Sequence, residues 1–205
     1  LLMLVTACFA FVCCNDNNGD KTLPDVGEMI VDGQTAYKVV IPSNATATQE
    51  YSAQQICSYF AQVTGVTMSY VVDGGEAYDG NSTIISLGKT SAYNTAVKNH
   101  KRVDVSRETL NDDGFVMFTD GKSLFIDSYN DRGIMYGAFE FIEQNFGVKF
   151  LTYDYTYVPT VTQVVLKGYD KTYVSPFRQR VYLNTPIWYK DTDYVAHMRY
   201  NTDFC

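Results

Sequence analysis

Residues 113–150 read DGFVMFTDGKSLFIDSYNDRGIMYGAFEFIEQNFGVKF, and their spacing decides the fold. Phe115 to Phe118 and Leu124 to Asp127 are short β-prone runs on either side of Asp120-Gly121. That pair is a hairpin signal, because glycine tolerates the positive φ that tight turns require. Asn130 or Asp131 then offers a side-chain cap for a helix reaching Asn145, with Gly147 to end it. Its Ile134, Ala138, Phe141, Ile142 and Asn145 fall on or beside one face. Gly133 and Gly137 lie one turn apart and leave a flat strip where the helix can approach a sheet closely. Tyr136 can bury its ring and hydrogen-bond at the rim.

Working back toward the start of the chain, Ala53, Ile56, Cys57, Phe60 and Val63 recur at steps of three and four before Gly65. This spacing predicts an amphipathic helix with a glycine end, entered through the polar residues Asn44 to Thr48. Tyr37 to Ile41, Val66 to Val72 and Thr83 to Leu87 read as strands, the last two separated by Asp73-Gly74-Gly75 and Asp79-Gly80. Strand, helix and strand in this order predict a crossover unit with parallel pairing. Ser91 to Lys98 reads as a short helix, and Lys98 to Arg107, with His100, as a charged connection.

Beyond Gly147, residues 148–167 read as extended pieces around Pro159 and Tyr169 to Ser175 as a connector. Phe177 to Leu183 is a further β-prone run, followed by a polar loop and a helix from about Asp193 to Tyr200. No internal repeat is present, which excludes solenoid architectures.

The first fourteen residues are uncharged and mostly apolar, the length of a secretory h-region and too short to span a bilayer as a helix. A lipoprotein peptidase cuts before a cysteine that then carries the lipid, and two cysteines suit it. Cys14 is the favoured lipidation site, because the chain turns polar at once with Asn15-Asp16-Asn17-Asn18-Gly19-Asp20. Cys8, after Val5-Thr6-Ala7, is the alternative. Residues 15–35 then read as a flexible tether, with order beginning near Ala36. A lipid-anchored outer-membrane protein, periplasmic or cell-surface, is the expectation.

The 205 residues carry a net charge of −7 and no cationic block, which excludes nucleic acid as a partner and suits a neutral or cationic ligand. After the signal only Cys57 and Cys205 remain, so no disulfide framework is expected. The 17 tyrosines and 12 phenylalanines suit sugar stacking, although most aromatics fill cores. No Cys-x-x-Cys, His-Glu-x-x-His or phosphate-binding glycine loop occurs, so no cofactor or metal is expected. Asp16 to Asp20 lacks the spacing and the closing Glu of a calcium loop.

The helix ending in Val63-Thr64-Gly65, the strand Ile84 to Gly88, the hairpin from Gly114 to Ile126 and Arg132-Gly133-Ile134-Met135-Tyr136-Gly137 follow one another in an order that resembles a known accessory domain. It is the α-glucuronidase N-terminal and β-hexosaminidase second-domain type. The likeness covers residues 36–168, including Phe146-Gly147-Val148-Lys149-Phe150 and Val158-Pro159. The resemblance implies an α/β (α+β) sandwich, a mixed sheet with helices, that is itself non-catalytic and precedes a (β/α)8 barrel. Ser175-Pro176-Phe177-Arg178-Gln179-Arg180 is similar to the start of such a barrel, although Pro176 directly precedes Phe177. Asn201 after Met198-Arg199-Tyr200 resembles the end of the first barrel helix in a related family of secreted bacterial proteins. Residues 176–205 are therefore expected to form the first strand and helix of a truncated barrel.

On that resemblance Arg180 is a candidate substrate-binding residue, because the end of the first barrel strand faces the active site and a guanidinium fork can hold adjacent sugar hydroxyls. An interdomain salt bridge is the competing reading of Arg180. Arg178 points the other way by strand alternation and reads as structural. Trp188 and Tyr189 fall in the loop at the expected barrel mouth, where they either stack on a pyranose or pack the loop. His197 reads as packing or solvent-facing. No catalytic carboxylate pair of the kind glycoside hydrolysis needs is evident, since Asp191 with Asp193, and Glu140 with Glu143, read as solvated charge. The expected function is that of a non-catalytic N-terminal domain of a secreted glycoside hydrolase-like protein acting in polysaccharide or glycan degradation. Its expected partners are carbohydrate, its own downstream barrel and the outer membrane. The alternative is a carbohydrate-binding surface lipoprotein without hydrolase activity.

Overall fold

The computed structural model describes residues 23–99, 104–181 and 192–201. Ten strands and five helices are defined among them. In chain order they are β1 (Leu23–Glu28), β2 (Lys38–Ile41), α1 (Ala47–Thr64), β3 (Ser69–Val72), β4 (Ile84–Leu87), α2 (Ser91–Asn99), α3 (Arg107–Leu110) and β5 (Phe115–Asp120). Then follow β6 (Ser123–Asp127), α4 (Asp131–Phe146), β7 (Lys149–Thr152), β8 (Tyr155–Tyr157), β9 (Val165–Gly168), β10 (Asp170–Tyr173) and α5 (Thr192–His197).

The central sheet has the order β10-β5-β6-β4-β2-β3. β2 pairs in parallel with β3 and β4, and β4 with β6, while β5 and β10 run antiparallel to their neighbours. The result is a mixed α+β architecture. The parallel half comes from the crossover predicted through α1. The antiparallel half comes from the hairpin, in which Asp120 pairs with Ser123 and Gly121 turns at φ +52°.

Side-chain alternation along the strands sorts the core into two layers. Val39, Ile41, Ile85, Leu87, Phe115, Met117, Leu124 and Ile126 face α1 and α4, where Ile56, Phe60, Val63, Phe139 and Phe141 meet them. Val40, Ile84, Phe118 and Phe125 face the other way, toward Tyr78, Ala92, Tyr93 and Ala96 of α2 and its approach. Both long helices have complete end chemistry. Thr46 and Gln49 form a capping box on α1 and Gly65 closes it in the left-handed region; Asn130 caps α4 through the Gly133 amide and Gly147 closes it likewise.

Three expectations are corrected. Residues 23–35 are not tether: β1 pairs antiparallel with β9, and Met29 and Ile30 behind it are buried in the main core. The stretch lacks apolar periodicity because its order comes from a strand more than a hundred residues later. Residues 170–173 are not a connector but an edge strand on β5, with Tyr169 buried beneath α4. Residues 177–181 form no strand and run irregularly toward the turn after α5, while 182–191 lie outside the described residues. Cys8, Cys14 and His100 lie outside the described residues as well. Among the described residues no helix is long and apolar enough to cross a membrane, and Cys57 is a free thiol.

β3 is the edge strand of the sheet opposite β10, and all four of its residues are exposed.

Candidate functional site

The polar residues that converge in this molecule lie where the segment from 175 onward meets the face of α4. Gly133 and Gly137 make that meeting possible. A Cβ on Gly133 would stand 2.4 Å from the Gly114 carbonyl, and one on Gly137 2.5 Å from Cγ2 of Ile126, so α4 lies directly on the hairpin. The stripe of α4 beside these glycines carries Arg132, Tyr136, Glu140 and Glu143 to the surface that receives the later segment.

Asp113 is the hub. Its side chain is only 4% exposed, and it sits between α3 and β5. Oδ1 accepts from Arg132 Nε at 2.6 Å, whereas Oδ2 accepts from Arg180 Nη2 at 2.9 Å and from the Asn201 amide. A carboxylate this deep requires such compensation, since desolvation of an unpaired charge costs several kcal/mol. Arg180 spends the rest of its fork inside the chain. Nε donates to the Arg199 carbonyl at 2.7 Å, and Nη1 to the Phe177 carbonyl at 3.0 Å and to the Ser175 hydroxyl. Its guanidinium carbon lies 5.7 Å from the centroid of the Tyr136 ring, within cation–π range.

Asn201 completes the arrangement from the far end of the segment, just past the turn after α5. Its Oδ1 accepts from the Arg180 amide at 2.6 Å, its amide nitrogen donates to the Arg180 carbonyl at 3.1 Å, and Nδ2 donates to the Arg178 carbonyl at 2.7 Å. The buried Tyr136 hydroxyl donates to the Tyr200 carbonyl at 2.9 Å. Burial pushes that phenol up to about 12, so it remains a donor at any physiological pH.

A second group of charges lies one turn along α4. Glu140 accepts from Lys171 at 3.0 Å and from Arg199 at 2.5 Å, and Arg199 also reaches Glu143 at 2.9 Å. Both glutamates were expected to be solvated. Glu140 is buried instead, and burial raises the Glu143 carboxyl despite the neighbouring Arg199. α5 adds an aromatic contact, with His197 lying flat on Phe150 at 4.0 Å and edge-on to Phe139 at 4.5 Å between centroids. His197 is thus a packing residue. Asp193 accepts from the Tyr51 hydroxyl at 2.8 Å.

Of the candidates named from sequence, Arg180 is at the centre of this arrangement, in the salt-bridged position. Trp188, Tyr189 and Asp191 lie outside the described residues. Arg178 is exposed on the rim of a cleft between α3 and residues 175–178. Asp113, the residue on which everything converges, was missed. It precedes a strand in a run of polar residues, and its partners lie 67 and 88 residues further on, which no local pattern reveals. Among the described residues no group of His, Cys, Asp and Glu could hold a metal ion.

Comparison with known proteins supplies the family. The family model described as "Glycosyl hydrolase family 67 N-terminus" matches residues 29–141, more than half of the sequence. The chain belongs to that family, and it carries an N-terminal domain of the glycoside hydrolase kind. Among solved structures, the GH20 β-N-acetylhexosaminidase of Streptomyces coelicolor A3(2) is similar at 7% identity and a TM-score of 0.49, over 80% of this chain and 26% of that one. A mutant Streptomyces plicatus β-hexosaminidase with bound GlcNAc gives 8%, 0.49, 80% and 26% in the same terms. The Vibrio harveyi GH20 exo-β-N-acetylglucosaminidase gives 12%, 0.44, 80% and 19%. At such identities and scores the likeness bears on no residue's role. The chain spans about a quarter of the length of the first of these structures. No curated protein matches it.

Proposed function

We propose that this chain is the non-catalytic N-terminal part of a secreted, glycan-degrading hydrolase, and that its work is to seat the polypeptide that follows residue 175 in one fixed orientation. The observation that carries this reading is the Asp113 hub, where Arg132 of the domain meets Arg180 and Asn201 of the later segment. Two chain segments joined only by packing can slide. A buried carboxylate shared by two guanidiniums and an amide fixes register, because any other alignment leaves a charge without a partner.

The described residues support a seating role more than a chemical one. Asp113, Glu140 and Glu143 are each engaged by a cation of the chain itself, which leaves none of the three poised as an acid or base across a bond. Arg180, offered from sequence as a sugar ligand, has its fork turned inward, which favours the clasp for it. The (β/α)8 barrel beyond, and stacking of sugar on Trp188, belong to the same proposal. So does attachment to the outer membrane through lipid on Cys14, with the protein facing the periplasm or the cell exterior.

The 205-residue chain should turn over no 4-nitrophenyl glycoside, α-glucuronide and β-N-acetylglucosaminide included. Turnover that a substitution within residues 23–173 abolishes would overturn the seating role. Metabolic labelling with a palmitate analogue in a Gram-negative host should mark the protein and be lost in Cys14→Ser; labelling lost only in Cys8→Ser moves the anchor to Cys8.

A further inference from the structure

We propose that the cleft between α3 and residues 175–178 is a binding site for a neutral saccharide. Its volume is about 480 Å³, with Arg107, Glu108, Asn111 and Asp112 on one side and Phe177 and Arg178 on the other. That size lies within the range of small-ligand pockets, which form preferentially at junctions between structural units.

The pattern of charge points to the ligand. Two guanidiniums and two carboxylates line the cleft, and Asp113 at the back is already engaged by Arg132 and Arg180. Such a lining offers donors and acceptors side by side rather than a patch of one sign. Sugar hydroxyls, which donate and accept at once, match alternating forks and carboxylates. Arg107 and Asp112 hold each other at 2.8 Å, whereas the side chains of Glu108 and Arg178 make no hydrogen bond among the described residues and keep their capacity for a ligand.

Phe177 supplies the apolar surface. At 67% exposure it is the barest of the large hydrophobic residues described, yet it is not on a loose end. Its carbonyl is held by Arg180, and the carbonyl of Arg178 beside it by Asn201. An aromatic residue on anchored backbone beside a polar cleft has less to order on binding than one on a free loop. The facing wall is fixed at some expense. Asn111 sits at φ 56° and ψ −155°, a conformation that favours glycine, with its amide donating to the Arg107 carbonyl at 2.9 Å. Such strain, on the order of 1–3 kcal/mol, is found most often at ligand sites.

The choice of a sugar among neutral polyols rests on membership of a glycoside hydrolase family. It does not depend on the Asp113 clasp orienting anything. Titration of the 205-residue chain with cellobiose, xylobiose and N,N′-diacetylchitobiose, followed by calorimetry and by NMR, tests it. Saturable binding of at least one is expected with Kd of about 1 mM or tighter, corresponding to roughly −4 kcal/mol. Phe177→Ala and Arg178→Ala should each weaken it about tenfold without lowering Tm, and glucuronate should bind no better than the neutral sugars. No saturation by any of the three at roughly ten times that Kd, or binding that survives both substitutions, overturns the proposal. Turnover of a glycoside by this chain would strike the seating role and leave the binding result standing.

Discussion

Gly137 and Ile126 are in contact across the interface of α4 and the hairpin, such that a Cβ on Gly137 would stand 2.5 Å from the Ile126 Cγ2 methyl and 3.2 Å from the Phe115 ring. Two effects compete in Gly137→Ala. Helix propensity favours alanine by about 1 kcal/mol. Overpacking between a helix and a sheet core costs about 1–3 kcal/mol, and here the neighbours are themselves fully buried and have nowhere to move. Net destabilisation of about 1–2 kcal/mol is expected, read as a lower urea midpoint with unchanged slope. A rise in the midpoint would mean that α4 can lift away from the sheet.

Asp113→Ala should loosen the later segment before it unfolds the domain. Removing the shared carboxylate leaves Arg132 and Arg180 uncompensated, and breaking a buried pair of this kind costs about 3–5 kcal/mol; the partly exposed Arg132 places the expected loss at or below the low end. Amide hydrogen exchange at residues 192–201 should accelerate at least tenfold while β4 and β6 stay protected. Uniform acceleration throughout the sheet would show that the hub belongs to the core rather than to a junction.

Stability should fall with rising pH because of Asp127. This carboxyl is 1% exposed at the end of β6, and burial raises its pKa although Tyr93, the Ser128 amide and Lys89 all favour the charged form. Its Oδ2 has no hydrogen-bond partner among the described residues. With the folded-state pKa above the unfolded one, near 3.9, the folded state holds the proton longer. The contribution to stability is full below the unfolded value and is lost as pH rises through the raised one. Asp127→Asn should remove that slope and be more stable than the wild type at neutral pH. Urea midpoints measured from pH 4 to pH 8 decide it, and a steeper slope in the variant would refute it.

Cys57 should be inert toward thiol reagents in the folded state. Burial against α1's neighbours pushes its thiol up to about 11, so little thiolate exists at pH 8. Alkylation followed by peptide mass mapping should show Cys57 labelled at least tenfold more slowly than in urea. Equal rates would indicate frequent opening of α1.

Much of this fold is legible in the sequence. The hairpin turn at Asp120-Gly121, the caps at Asn130 and Gly147, and the five-residue face of α1 are local signals, and each produced the element expected. What was missed depends on partners far along the chain. β1 contains Pro24 and no alternation, and it is a strand only because β9 pairs with it. Asn145 was placed on the buried face of α4, but its task, accepting from the Lys167 amide at 3.0 Å and donating to the Val165 carbonyl at 3.2 Å, needs β9 in position. Glu140 and Glu143 carry no mark that separates them from solvated helix charges until Lys171 and Arg199 arrive. Arg180 is legible as a residue of consequence, but its contact with Asp113, 67 residues earlier in the chain, is not.

The edge strand β3 has a consequence for handling the protein. Ser69, Tyr70, Val71 and Val72 bear no charge and no proline, and along their outer side no strand of the described residues pairs with them. Uncharged, β-prone borders of this kind are templates on which a second copy can dock in register and propagate. A lysine introduced at Val71 is the economical gatekeeper, and it should raise the concentration at which the protein stays monodisperse.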